Sequence, residues 1–193
     1  QKQREDFEAL IMIDFLGSPL QARVAAALAE ADRVVNALIF PEGNKGAGRV
    51  DSRKAYFRKI WTTKKPLWID RLASAWLIRR FIDAEAEIRW LDRDAVALPA
   101  AVTFGFDGAQ FANSRERVTF EELVHFFALE RDGALVRVGA VIQALSTAET
   151  GVAAASNLET MLKAAKARAK SEQEFLAESE KACDLLHYSY VEM

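Results

Sequence analysis

The run Asp70-Arg71-Leu72-Ala73-Ser74-Ala75-Trp76-Leu77-Ile78-Arg79-Arg80-Phe81-Ile82-Asp83 constrains the fold more than any other stretch, because it sets a helical pattern between two short strand-like segments. Ala73, Trp76, Leu77 and Phe81 recur at helical spacing and predict one buried face. Arg71, Ser74, Ala75 and Arg79 fall on a neighbouring sector, which places guanidinium groups beside a hydroxyl on one rigid element. Ile69-Asp70 offers an N-cap, so Arg71 and Ser74 are expected in the first turns, where free N–H groups and the helix dipole favour an anion. The same arginines would equally serve surface ion pairs with Asp83 or Glu87, contacts that contribute little.

Segments 55–63, 87–91 and 102–106 read as strands, with 110–112 as a short final one, and the Asp70 helix crosses between the first two. Thr119-Phe120-Glu121-Glu122 has capping-box form and opens a helix carrying Leu123, Phe126 and Phe127. Apolar spacing predicts further helices over 135–145, 157–169 and 172–190. Upstream, helical patterns over 2–15 and 19–38 meet at Ser18-Pro19, a cap followed by a first-turn proline. Pro41-Glu42-Gly43-Asn44-Lys45-Gly46-Ala47-Gly48 then breaks all periodicity. Its glycine spacing invites a phosphate-loop reading, but Arg49 and Val50 replace the required Lys and Ser/Thr. The expected organisation is a helical hairpin over 1–40 ending an upstream region, a linker over 41–54, and a domain over 55–193. The expected fold class is α+β, mostly helical: a small three- to four-stranded sheet packed by several helices and preceded by the hairpin.

A chain of 193 residues with 51% hydrophobic content can close one good core. Cys183 is the single cysteine, which rules out an intramolecular disulfide and makes the cytoplasm the default location. No apolar run approaches the roughly 20 residues that span a bilayer, and no signal-peptide pattern opens the chain. Gln1 at the start reads as a processed end or a fragment boundary.

Net charge is only −2, but its distribution is uneven: residues 45–93 hold 13 basic and 6 acidic side chains. The middle is therefore strongly cationic while the flanks are acidic, which concentrates anions near the middle. Tyr56-Phe57-Arg58-Lys59-Ile60-Trp61 interleaves aromatics with basics in the manner of a nucleic-acid strand, although core aromatics with snorkelling lysine explain it equally.

The catalytic inventory is thin. His125 lies among apolar neighbours, and His187 follows Cys183 by four residues, so the latter two share a helical face without an evident third metal ligand. Asp70, Asp107, Asn113, Glu121 and His125 form a scattered, oxygen-heavy set. No G-x-S-x-G, H-E-x-x-H or two-cysteine motif is present. The residues therefore assign no catalytic group, no metal ligand and no cofactor.

Trp61-Thr62-Thr63-Lys64 followed by the Asp70 run resembles the C-terminal domain of the ChrB chromate-resistance family. The matching patterns are W-x-T-R, D-R-x-A-S-A-W-L-I-R-R-F-I-D, a later F-D supplied by Phe106-Asp107, and a T-F-E helix start at Thr119-Phe120-Glu121. Asp14-Phe15-Leu16-Gly17 is similar to the end of the region preceding that domain. Members of the family carry histidine where this chain has Asn113, cysteine near Val118, and histidine at Gln143. The resemblance thus implies a branch whose metal or redox chemistry is missing or altered, while the basic set survives, with Lys64 at the motif's arginine position.

The resemblance implies a chromate-responsive regulatory or resistance component, and the residues permit an oxyanion-sensing domain, so a binding protein is expected. The expected oxyanion site comprises Lys64, Arg71, Ser74 and one of Arg79 or Arg115, holding chromate or sulfate. DNA would be reached only through an upstream segment outside this chain, no membrane partner is expected, and the last two helices offer a homodimer surface. The competing reading is a metal- or redox-dependent enzyme that detoxifies chromate or reactive oxygen.

Overall fold

Ile60 to Lys64 combines β-branched and aromatic residues, and in the computed structural model it becomes the central strand β1 (Ile60–Lys64). The structure describes residues 55–98, 100–147 and 152–192. The expected hairpin over 1–40 and linker over 41–54 lie outside the described residues. Two further strands, β2 (Glu87–Leu91) and β3 (Val102–Thr103), flank β1 in parallel, in the order β2-β1-β3. Ile60 stands opposite Glu87 and Lys64 opposite Leu91, while Trp61 and Thr62 face Val102 and Thr103.

Three strand predictions need correction. The first strand does not begin at Ala55: residues 55–58 form a helical turn that ends at Arg58, whose φ of 55° is incompatible with an extended strand. The third strand stops at Thr103. Phe104 makes only an isolated bridge to Phe111, and Gly105, at φ 75°, turns the chain away. The fourth strand expected over 110–112 is that single bridge.

Helix α1 (Ile69–Leu77) connects β1 to β2 and continues as a π-helical segment (Ile78–Ile82). The wide turn is closed by the Asp83 N–H donating to Ile78 O at 2.7 Å. It delivers the fully buried Asp83 carboxylate to the start of β1, where it accepts from Lys59 N (3.0 Å), Trp61 Nε1 (3.4 Å) and Glu85 N (3.2 Å). The two-faced helix read from the sequence is also corrected. Every residue from Leu72 to Ile78 is buried, Ser74 and Ala75 included, because α1 packs against several helices at once.

Four helices complete the domain: α2 (Thr119–Phe126), α3 (Gly133–Ser146), α4 (Ala153–Arg168) and α5 (Glu172–Val191). Asp132 caps α3 by accepting from Ala134 N and Leu135 N, and Ser171 caps α5 by accepting from Glu174 N. α5 packs against α1, α3 and α4. Its inner face buries Phe175, Leu176, Ala182 and Cys183, and α4 contributes Leu162 to the same core. Leu185, Tyr188 and Val191 remain exposed on the outer face of α5. A second focus lies over β1, where Trp61 meets Tyr56, Phe104, Phe111 and Phe127 at ring separations of 5.8–6.5 Å. The result is the expected α+β domain, mostly helical, with a sheet of three strands.

Candidate functional site

Parallel strands leave their C-terminal ends pointing into one crevice, which is where ligands of open α/β sheets bind. At that end, Lys64 closes β1, the N-terminus of α1 follows, and the turn Gly105-Phe106-Asp107-Gly108 leaves β3. The turn has positive φ at both glycines, 75° and 83°, and presents Phe106 and Asp107 between them.

Arg71 spans this crevice. Its Nε donates to Gly105 O at 2.7 Å and its Nη1 donates to Pro66 O at 2.7 Å, so the guanidinium joins the β1–α1 loop to the turn after β3. Lys64 places its Nζ 5.2 Å from the ring centroid of Phe106, a cation–π contact. The two cations thus meet at consecutive residues of one turn. Thr63 is fully buried beside them, and its Oγ1 has no hydrogen-bond partner among the described residues. Gly105 is required there: a Cβ on it would lie 2.9 Å from Arg71 Cγ and 3.1 Å from Thr63 Oγ1.

The other expected site residues are distributed differently. Ser74 lies one turn beyond Arg71, fully buried, with an unpartnered Oγ. Arg79 stands two turns along the helix from Arg71 and donates to Glu180 Oε1 of α5 at 3.0 Å. Arg115 is exposed on the loop before α2. The structure therefore brings Lys64 and Arg71 together with Thr63, a residue the sequence reading passed over, and places Arg79 and Arg115 elsewhere. A threonine in a strand gives no signal of its own in a sequence; only the approach of Gly105 and Arg71 distinguishes Thr63.

Asp70 does not cap its own helix. That position belongs to Trp68, which provides no side-chain cap. Asp70 instead accepts from Phe120 N at 2.9 Å, while Asn113 Oδ1 accepts from both Thr119 N (2.8 Å) and Thr119 Oγ1 (2.7 Å). The predicted Thr119–Glu122 capping box is displaced by one residue: Val118 is the N-cap, and Glu121 Oε2 accepts from Val118 N at 3.2 Å. Thr119 is a first-turn residue, so its hydroxyl is not the cap. Burial raises the pKa of Asp70 despite these donors, and burial likewise raises Glu121, reinforced by the nearby Asp70 and Glu122 carboxylates. Gln143 Nε2 reaches Glu116 O at 3.4 Å, so Asn113, Val118 and Gln143 gather around one loop and helix start.

The remaining chemical candidates are engaged in packing or pairing. Cys183 is buried, and its thiol pKa is pushed up to about 12 by burial and by Asp184 and Glu180, which suppresses the reactive thiolate. His187 Nε2 pairs with Asp132 Oδ2 at 3.1 Å, and His125 Nδ1 with Glu130 Oε1 at 2.7 Å. Among the described residues, no three His, Cys, Asp or Glu side chains cluster to hold a metal ion. Nor is any helix there long and apolar enough to cross a membrane. The Tyr56 to Trp61 segment is not a nucleic-acid strand, since Phe57 lies in the turn and Trp61 is fully buried.

Fold and site define a helical domain built on a three-stranded parallel sheet, with two cations converging at the strand ends. The family model for the ChrB C-terminal domain matches residues 61–190, and the chain belongs to the ChrB chromate-resistance family. It is 35% identical to Protein ChrB of Cupriavidus metallidurans over 183 residues, which is 93% of this chain and 56% of that protein. The chain thus spans about half the length of the curated relative it matches. No solved structure matches it.

Proposed function

We propose that this chain is the oxyanion-responsive part of a cytoplasmic chromate-resistance protein. A tetrahedral dianion, chromate or sulfate, is held at the C-terminal edge of the sheet by Lys64 and Arg71, with Ser74 as a hydroxyl donor one turn further along α1. The carrying observation is the meeting of Lys64 and Arg71 on Gly105 and Phe106, at the ends of two adjacent parallel strands. Arg71 uses two of its five N–H groups on backbone carbonyls, which holds the guanidinium at the crevice with further donors to offer a ligand. Arg79 and Arg115 would join only through movement, because one is paired with Glu180 and the other stands on a separate loop. Family membership supports the chromate-related reading, and the regulatory output belongs to an upstream DNA-reading segment. A homodimer would use the exposed Leu185, Tyr188 and Val191 of α5.

Calorimetric titration with chromate, with sulfate and phosphate as competitors, tests the site. Saturable binding with a Kd in the micromolar range is expected, weakened at least tenfold by Lys64→Gln. Absence of heat with every oxyanion refutes the proposal.

A further inference from the structure

A buried hydroxyl without a partner costs stability that a valine of the same shape would not, so its presence needs a reason beyond packing. Among the described residues, three side-chain hydroxyls are in that state: Thr62, Thr63 and Ser74. Of the two on β1, strand alternation puts Thr62 on the face opposite Thr63. Thr63 faces the space left by the missing side chain of Gly105. Its Oγ1 lies 3.1 Å from the point a Cβ there would occupy, with Arg71 Cγ and Nε at 2.9 and 3.6 Å from the same point. The guanidinium stem therefore lies beside the hydroxyl, which solvent does not reach, and is held there by two carbonyl contacts.

Resting on the oxyanion site described above, we propose that Thr63 is a specificity-determining residue of that site, a sealed hydroxyl that Arg71 uncovers when it turns to an anion. In the unliganded arrangement Arg71 holds Gly105 O and Pro66 O. An anion arriving beside Lys64 offers the guanidinium a charged acceptor in place of a neutral carbonyl, the stronger of the two contacts. As Arg71 moves off Gly105, the Thr63 O–H is freed to donate to the bound oxygen. The hydroxyl thereby acquires in the complex the partner it lacks without ligand. Only an anion small enough to enter between Arg71 and Gly105 collects this bond, so chromate and sulfate gain from it, whereas a phosphate ester, with one oxygen carrying a bulky substituent, gains less.

The test is titration of the 193-residue chain with chromate, comparing wild type with Thr63→Val, Thr63→Ser and Thr62→Val, alongside thermal unfolding of each. Thr63→Val is expected to bind chromate about tenfold more weakly while melting at the same temperature or higher, because it deletes an unpartnered hydroxyl. Thr63→Ser, which keeps the hydroxyl, is expected to bind within about twofold of wild type, as is Thr62→Val. Unchanged binding by Thr63→Val overturns the assignment, and so does a Thr63→Ser variant that binds as poorly as the valine. A large drop in melting temperature for Thr63→Val alone would mean that the hydroxyl is already partnered, which removes the premise. Should wild type bind no chromate, the site itself falls. Should wild type bind, Lys64→Gln weaken it and Thr63→Val leave it intact, only the role of Thr63 falls.

Discussion

Asp70 is bound to Phe120 across 50 residues of sequence, and two substitutions there separate its hydrogen bonding from its charge. Asp70→Ala removes the acceptor for Phe120 N. Phe120 is fully buried, so the exposed N–H finds no water to replace it. Loss of a helix cap costs about 1 kcal/mol, and an unsatisfied buried donor adds about 1–3 kcal/mol with partial overlap between the two. A net loss of about 2–3 kcal/mol follows. Asp70→Asn keeps an acceptor oxygen in the same place and forfeits only the charge at the start of α2, worth about 0.3–1 kcal/mol. Against that forfeit stands the burial that raises the Asp70 pKa, which outweighs the donors and the Arg71 charge acting on it. A carboxyl with a raised pKa in the folded protein contributes most stability below its unfolded value, and loses that contribution as pH climbs through the folded pKa. Wild type therefore loses this contribution as pH rises above the ordinary carboxylate range, while the amide does not titrate. Urea unfolding should place Asp70→Asn within about 0.5 kcal/mol of wild type at pH 7. Between pH 7 and pH 4, wild type should gain on Asn as the carboxyl takes up its proton. The reasoning is wrong if Asn is as destabilised as Ala at pH 7, or if wild type loses ground to Asn on acidification.

Gly105→Ala forces an L-residue to φ 75° and sets its Cβ against Arg71 and Thr63; a loss of about 2 kcal/mol by urea unfolding is expected, along with weaker chromate binding. Trp76→Phe deletes the Nε1 donation to Asp184 Oδ1 at 2.9 Å but keeps the ring near the stacked Phe120, so unfolding experiments should show a loss of about 1 kcal/mol. Cys183, with its thiol pushed up to about 12, should resist iodoacetamide at pH 8 in the native protein and react once urea unfolds it, as mass spectrometry would register; rapid native labelling would contradict its burial.

Local patterns carried much of the architecture. Strand 87–91 coincides with β2, and the helices predicted over 135–145, 157–169 and 172–190 match α3, α4 and α5 with small shifts at their ends. Failures arose where a backbone turn or a distant residue decides the outcome. Arg58 at positive φ delays β1, and the turn at Gly105 truncates β3; neither shows in β-propensity. The sequence predicts a local box at the start of α2, yet only Val118 N is served from within the helix, by Glu121, while Thr119 N and Phe120 N find their acceptors in Asn113 and in Asp70 on another helix. The site was legible in part. Lys64 and Arg71 stood out by charge and spacing, but the pairing of Arg79 with Glu180, 101 residues away, required the packing of α1 on α5. Thr63 has no charge to mark it and depends on a glycine 42 positions along the chain for its surroundings.

The residues from Asp70 to Asp83 form a set of tethers as much as a site, and this alters which substitution best reports on binding. Asp70 holds α2, Arg71 holds two loops, Trp76 and Arg80 meet Asp184, Arg79 meets Glu180, and Asp83 returns to β1. Removing Arg71 therefore loosens the turn that forms one wall of the crevice, and a loss of anion affinity in Arg71→Ala would mix lost charge with lost shape. Lys64 has no such entanglement: its Nζ rests on the ring of Phe106 and closes no hydrogen bond to the backbone among the described residues. A cation–π contact at a partly exposed position is worth about 0.5–1 kcal/mol, so Lys64→Gln should leave the fold nearly intact while removing a full charge from the crevice. The charge term is also the one that salt screens, with a Debye length of about 8 Å at physiological ionic strength. If Lys64 contacts the anion, the affinity gap between wild type and Lys64→Gln should narrow as sodium chloride is raised, because wild type loses more. A gap that stays constant from low to high salt would mean that Lys64 acts through Phe106 on the shape of the turn and not as a ligand.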